Sequence, residues 1–231
     1  MVSILYSKKK NTFKLFSFLV VIYFLTFSNF LFAQQASVTW ELSSSTNVTQ
    51  TIGNIIGHDE YLSNMEVHDY SQVAGVTGLS QGTIITGGLW PAETSQNNDR
   101  YIQFAVSIKP GITFNIDSIS FFYAGRGGHN LKINVAFATD SGFSNSIQLN
   151  PAGSPISNSD NAPTMLYYKF PITGHSISYP QTFYIRIFPW YTLSLYTKYV
   201  CLHDFKIIGT ASGQVIPVLP IVSTLKPTDI S

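Results

Sequence analysis

The segment Gly57–Tyr70, GHDEYLSNMEVHDY, crowds two His-Asp pairs and two glutamates into a chain with only twelve acidic and thirteen basic residues in 231. His58, Asp59, Glu60, Glu66, His68 and Asp69 are the residue types that ligate zinc or exchange protons, so either chemistry would be sought here first. A zinc centre needs three or four ligands converging on one point, and on a strand only alternate side chains share a face. Glu66 and His68 can converge, whereas Asp69 points away from them. His58, Asp59 and Glu60 precede a turn at Ser63-Asn64 that could fold them back toward His68, yet nothing in the spacing requires it. The pattern reads as a turn and an early strand with a polar edge, and no catalytic residue is assigned. The alternative is a glycan lyase or hydrolase using Asp59, Glu60, Glu66 and His68, since two carboxylates flanking a cleft can cleave a glycoside. The chain has no HExxH and no serine nucleophile elbow.

A third His-Asp pair, His203-Asp204, lies in KYVCLHDFKIIG, where Asp204 is the oddity among apolar neighbours. A buried carboxylate needs a partner. One reading pairs Asp204 with Glu41 of TWEL to hold a structural Ca²⁺ through oxygen ligands. The other gives Asp204 to backbone amides or to Arg186. In ATDSGFSNS, Asp140 is expected to accept hydrogen bonds from the amides of its own turn. Gly125, Gly127 and Gly128 lack the strand-to-helix context that a phosphate loop requires.

Aromatic residues are the stronger functional lead. Trp90 stands before Pro91, and FPWYTLSLY carries Trp190, Tyr191 and Tyr196, all at strand ends or in loops. Aromatic faces stack on sugar rings, so these four are the candidate ligand platform, with core packing as the competing fate of each tryptophan.

The elements that must position such groups are strands. Between Ala36 and Thr210 two-residue alternation recurs, bounded by Gly, Pro, Asn and Ser, and about nine segments read as strands. That density predicts an all-β, antiparallel, jelly-roll-like β-sandwich. In LKINVAF, Leu131, Ile133, Val135 and Phe137 share one side; in NIDSISFFY, strict alternation puts Ile116 with Ser118, Ser120 and Phe122, opposite Asp117, Ile119, Phe121 and Tyr123. Lys109-Pro110-Gly111 reads as a tight connection, and Asn150–Thr164 as a polar surface loop. Cys201 is the only cysteine, so no intrachain bridge can form, and its apolar setting marks it as a buried, inert thiol.

The two ends read differently. Lys8, Lys9, Lys10 and Lys14 precede and open the apolar run Leu15–Phe27, and Ala33 is followed by Gln-Gln, the pattern of a signal peptide over 1–33 cleaved before Gln34. A retained anchor is the rival reading, because the run approaches the roughly 20 residues needed to span a bilayer; after cleavage no membrane span is expected. Removing the segment leaves nine basic and twelve acidic side chains, a formal charge of −3, which argues against a nucleic-acid partner. Residues 34–210 form the expected domain. Residues 211–231, with Pro217, Pro220 and Pro227, read as a linker and the start of a further, truncated β-domain of a longer multidomain protein.

Three segments, YIQFAVSIKPGITFNIDSISF, NVAFATDSGFSNS and FYIRIFPWY followed by KYVCLHDFKIIGT, resemble in their order a β-sandwich accessory module of secreted bacterial pectate lyases, pectin esterases and related polysaccharide-degrading proteins. The likeness spans about Ala36–Thr210, with Phe188 where the module usually has Tyr. It implies a secreted or cell-surface, non-catalytic module that binds or spaces polysaccharide such as pectin. No binding residue is carried over from it. A structural or adhesin-type surface domain is the remaining alternative.

Overall fold

The computed structural model describes residues 33–217. The expected signal peptide, apart from Ala33, and the expected start of a further domain past Pro217 lie outside the described residues. No helix occurs among the described residues. Their strands are β1 (Gln34–Trp40), β2 (Gln50–Ile52), β3 (Ile55–Ser63), β4 (Met65–Gln72), β5 (Leu79–Ile85), β6 (Tyr101–Ile108), β7 (Ile112–Arg126), β8 (Leu131–Ala138), β9 (Ile147–Gln148), β10 (Ser159–Asp160), β11 (Leu166–Ser178), β12 (Thr182–Tyr191) and β13 (Tyr199–Gly213).

They form an antiparallel β-sandwich, as the alternation predicts. An eight-stranded sheet contains the path β10-β7-β13-β1-β2, with β11 beside β7 and β5 and β4 beside β13; the second sheet runs β3-β6-β12-β8-β9. Every pairing between strands is antiparallel except the two-residue β10–β7 contact. The chain changes sheet at most of its connections, which is the jelly-roll habit. Two such crossings rest on local sequence. Pro110 and Gly111 (φ 82°) carry β6 into β7, closed by the Ile112 amide donating to the Lys109 carbonyl at 3.1 Å. Asn64, at φ 51°, turns the chain from β3 to β4; Asn tolerates that left-handed conformation better than most residues.

Between the sheets lies an aromatic core. The Phe104 and Phe205 rings stack at 3.8 Å across the gap, Phe121 stacks on Phe205 at 5.4 Å, and Trp40 meets both Phe104 and Phe205 edge-on. The Trp40 indole nitrogen donates to the His58 carbonyl at 2.9 Å, which satisfies its one polar atom inside the core. Each such ring contributes about 1.5–3 kcal/mol by burial.

Alternation holds strictly in β8, where Leu131, Ile133, Val135 and Phe137 all face the core. It fails in β7 and β13, and the face assignment made for NIDSISFFY is corrected accordingly. Ile208 pairs with Ser118 but Gly209 pairs with Ile116, so Asp117 is an extra residue and both Ile116 and Ile119 point inward. Likewise the β13 register shifts between His203 and Lys206, and Asp204, at φ 51°, is the bulge that lets Phe205 follow Leu202 into the core. β13 itself continues to Gly213, past the boundary expected at Thr210, and the Ile216 amide still bonds the Pro110 carbonyl at 2.9 Å.

Candidate functional site

The crowded segment Gly57–Tyr70 is divided between the two sheets. His58, Asp59 and Glu60 lie on β3 of the five-stranded sheet; Glu66, His68 and Asp69 lie on β4 of the eight-stranded one. Five of the six have their own local contacts, and Glu66 is exposed. His58 Nε2 bonds Ser107 Oγ at 2.8 Å, and Asp59 accepts the Val48 amide at 3.0 Å. His68 stacks on Tyr199 at 4.6 Å, and Asp69 pairs with Arg126 at 2.7 Å. A shift in the β3 register between His58 and Tyr61 accompanies the burial of Glu60, which accepts from Gln81 Nε2 at 2.6 Å while its Oε1 has no partner. Burial pushes this carboxyl up to about 8, against the smaller opposing effect of the Gln81 bond. Glu60 is thus sealed inside while Asp59 and Glu66 are exposed, so the arrangement does not form the acid pair that a lyase or hydrolase would need. Among the described residues no three of His, Cys, Asp and Glu gather closely enough to hold a metal ion.

Glu41 and Asp204, the pair of the calcium reading, lie opposite each other, just past the end of β1 and on β13, and touch through the backbone. The Asp204 amide donates to the Glu41 carbonyl at 3.0 Å, and Lys206 Nζ takes the Asp204 carboxylate at 2.8 Å. One Asp204 oxygen is thereby held by an ammonium, and among the described residues no third His, Cys, Asp or Glu gathers with Glu41 and Asp204. The alternative pairing with Arg186 is corrected, because β12 carries Arg186 in the opposite sheet and Asp204 pairs with Lys206 instead. Asp140 behaves as expected, accepting the Ser144 amide at 3.0 Å and the Asn145 amide at 3.4 Å, and these bonds lower its titration. Cys201 is buried, and desolvation pushes its thiol up to about 12.

The platform expected from Trp90, Trp190 and Tyr191 is not formed. Trp90 is fully buried in the main core, with its indole nitrogen bonded to the Lys198 carbonyl at 2.9 Å. Tyr191 faces the same core. Trp190 points to the outer side of β12 but is 6% exposed, with the Lys132 ammonium 4.6 Å from its ring centre. Only Tyr196 presents its ring to solvent, at 59% exposure. Trp90 is thus a plug of the sandwich, where its large ring covers much apolar surface, and Trp190 is covered on the outer face.

A concave feature lies elsewhere, on the outer face of the five-stranded sheet, as a cleft of about 790 Å³. Its floor comes from positions that alternate with core residues: Tyr101 on β6, Arg186 and Phe188 on β12, Asn134 on β8 and Gln148 on β9. One wall is the loop carrying Gln96, Asn98 and Asp99; the other is the Asp140 turn, which brings Ser141, Gly142 and Phe143 over the sheet. Phe143 takes φ 57° at the apex of that turn, where its amide bonds the Asp140 carbonyl at 3.1 Å.

Four side-chain amides run across the cleft in one direction. The Val135 amide donates to Asn150 Oδ1 at 2.8 Å, which fixes the orientation of that buried carboxamide. Asn150 Nδ2 then donates to Asn134 Oδ1 (2.9 Å), Asn134 Nδ2 to Gln96 Oε1 (2.7 Å) and Gln96 Nε2 to Asn98 Oδ1 (2.8 Å). The relay locks the loop wall to the sheet and leaves Asn134, Gln96 and Asn98 spare donor and acceptor capacity, whereas both Asn150 N–H groups are used, the second on the Ser154 carbonyl. In the sequence, the alternation of Arg186 and Phe188 with Ile185 and Ile187 already marks them as outward. Their meeting with Tyr101, Phe143 and the amides depends on two loops whose course has no sequence signature.

No family model matches the chain, and no curated protein matches it. Among solved structures it is similar to the CBM22-1 xylan-binding domain of Paenibacillus barcinonensis Xyn10C, at 16% identity over 74% of this chain and 94% of that one, with a TM-score of 0.38. It is also similar to the CBM22-1 and GH10 modules of a Clostridium thermocellum xylanase complexed with xylohexaose, at 12% identity over 81% of this chain and 30% of that one, TM-score 0.33. A third likeness is to a family 11 carbohydrate-binding module of C. thermocellum in complex with a mixed-linked tetrasaccharide, at 14% identity over 75% and 96% of the two chains, TM-score 0.31. At this identity and superposition, function rests on the site itself.

Proposed function

We propose that this chain is a non-catalytic glycan-binding module whose site is the cleft on the outer face of the five-stranded sheet. The observation that carries the reading is the joining, in one concave site, of two part-exposed aromatic rings (Tyr101, Phe143) with the oriented amides of Asn134, Gln96 and Asn98. A sugar offers an apolar ring face and a rim of hydroxyls that both donate and accept. Aromatic faces suit the first and carboxamides the second. The volume falls within the range of small-molecule sites.

Affinity electrophoresis against pectin, xylan and β-glucans tests the reading. Pectin heads the panel because the sequence likeness is to modules of pectin-degrading proteins. Retardation by at least one polymer, reduced by Tyr101→Ala or Phe143→Ala, is the expected result. No retardation by any of them would leave a spacer or adhesin domain as the better account. Export of the chain and its attachment to further domains in a longer parent belong to the same proposal; N-terminal sequencing of the secreted protein should begin at Gln34.

A further inference from the structure

The cleft is lined by a single basic side chain, Arg186, and the way it is held defines a ligand class. Its guanidinium carbon stands 3.9 Å from the Tyr101 ring centre and 4.3 Å from that of Phe143, so aromatic rings flank it and leave its edges to make hydrogen bonds. Its partners are neutral: Nε donates to Gln103 Oε1 at 2.8 Å and Nη2 to the Ser141 carbonyl at 3.1 Å. Among the described residues Nη1 has no hydrogen-bond partner, and no carboxylate comes within 4.0 Å of Arg186. Asp99, the one acid of the cleft wall, is therefore not its counter-ion.

A neutral sugar does not require a full positive charge aligned in this way. A carboxylate does, because charge-assisted bonds from a guanidinium are about twice as strong as neutral ones and match the planar acid in geometry. With the two rings packed on the guanidinium and two of its nitrogens already donating, Nη1 is the group left to meet a ligand. Resting on the glycan-binding reading above, we infer that the cleft takes a uronate polymer and that Arg186 binds the free carboxylate of one sugar. Methyl-esterification removes the charge the guanidinium reads, so the reaction class that supplies the ligand is de-esterification.

The test is affinity electrophoresis of the whole chain in gels containing polygalacturonate, its methyl-esterified form, alginate or dextran sulfate. Polygalacturonate and alginate separate a galacturonate source from a mannuronate or guluronate one. The expected result is retardation by at least one of the free acids, at least ~10-fold weaker for the ester, with the preference fading as salt is raised. Arg186→Gln should abolish the preference for acid over ester, and Arg186→Lys should restore it only in part. Equal retardation by acid and ester, or tighter retention by dextran sulfate, would overturn the inference and leave glycan binding standing. No retardation by any polymer, pectin and the neutral glycans included, would overturn both. Should Arg186→Gln fail to fold, the comparison of acid with ester on the unaltered chain decides alone.

Discussion

Glu60 makes the stability of this domain fall as pH rises. In the unfolded chain its carboxyl titrates near 4.5; in the fold, burial holds it at about 8, so the folded state binds the proton more tightly. A group raised in this way contributes fully below the unfolded value, and its contribution is lost progressively as pH climbs through the folded one. Each pH step between the two values carries about 1.4 kcal/mol, so the whole window is bounded at roughly 5 kcal/mol and the part from pH 5 to pH 7 at about 2.5 kcal/mol. For a domain of this size that is a fall in Tm of roughly 5–10 °C. Thermal unfolding of the parent and of Glu60→Gln at pH 5, 6, 7 and 8 measures it. The variant keeps the volume and the contact with Gln81 but has no proton to lose, and its Tm should be flatter across the range by that amount. Parallel Tm curves for the two proteins would show that Glu60 is not buried as a neutral acid, and the argument would fail.

Three other outcomes follow from the packing and the cleft. Trp90→Ala should cost about 3–5 kcal/mol in urea denaturation, because it empties a core position, whereas Tyr196→Ala should leave stability within about 0.5 kcal/mol, as expected of an exposed side chain. Gly209→Ala should destabilise by several kcal/mol on the same assay, since a Cβ there would overlap the carbonyl oxygen of Asn115 on the paired strand. Asn150→Asp should cost about 1–3 kcal/mol and weaken glycan retention as well: the new carboxylate still accepts from Val135 but cannot donate to Asn134, and the amide relay loses its root. Unchanged retention in that variant, with the stability loss present, would mean the relay serves the fold alone.

Much of the architecture is legible from alternation. β8 reads correctly residue by residue, the Lys109–Gly111 connection and the Asp140 turn follow from turn chemistry, and the isolation of Cys201 follows from its apolar neighbours. The misreadings have two physical sources. Bulges at Asp117 and Asp204 shift the inward face by one residue, and a two-residue period cannot register an inserted residue whose only mark is an aspartate. The second source is burial. Trp90 and Trp190 look like platforms because they sit beside prolines at strand ends, yet Trp90 turns into the core and Trp190 is covered on the outer face beside Lys132.

Sequence by itself determined the class of this protein: alternating β-branched and aromatic runs separated by turn residues can satisfy their backbone and bury their apolar faces only as stacked antiparallel sheets. Tertiary structure decided the site. The six titratable residues of Gly57–Tyr70 sit together in the chain but are parted because Asn64 sends β3 and β4 into different sheets. Tyr101, Phe143 and Arg186 come from distant segments and meet because strand register and one Asp140-centred turn bring them to a common face. Proximity along the chain and proximity in space are set by different interactions, and the cleft depends on the second.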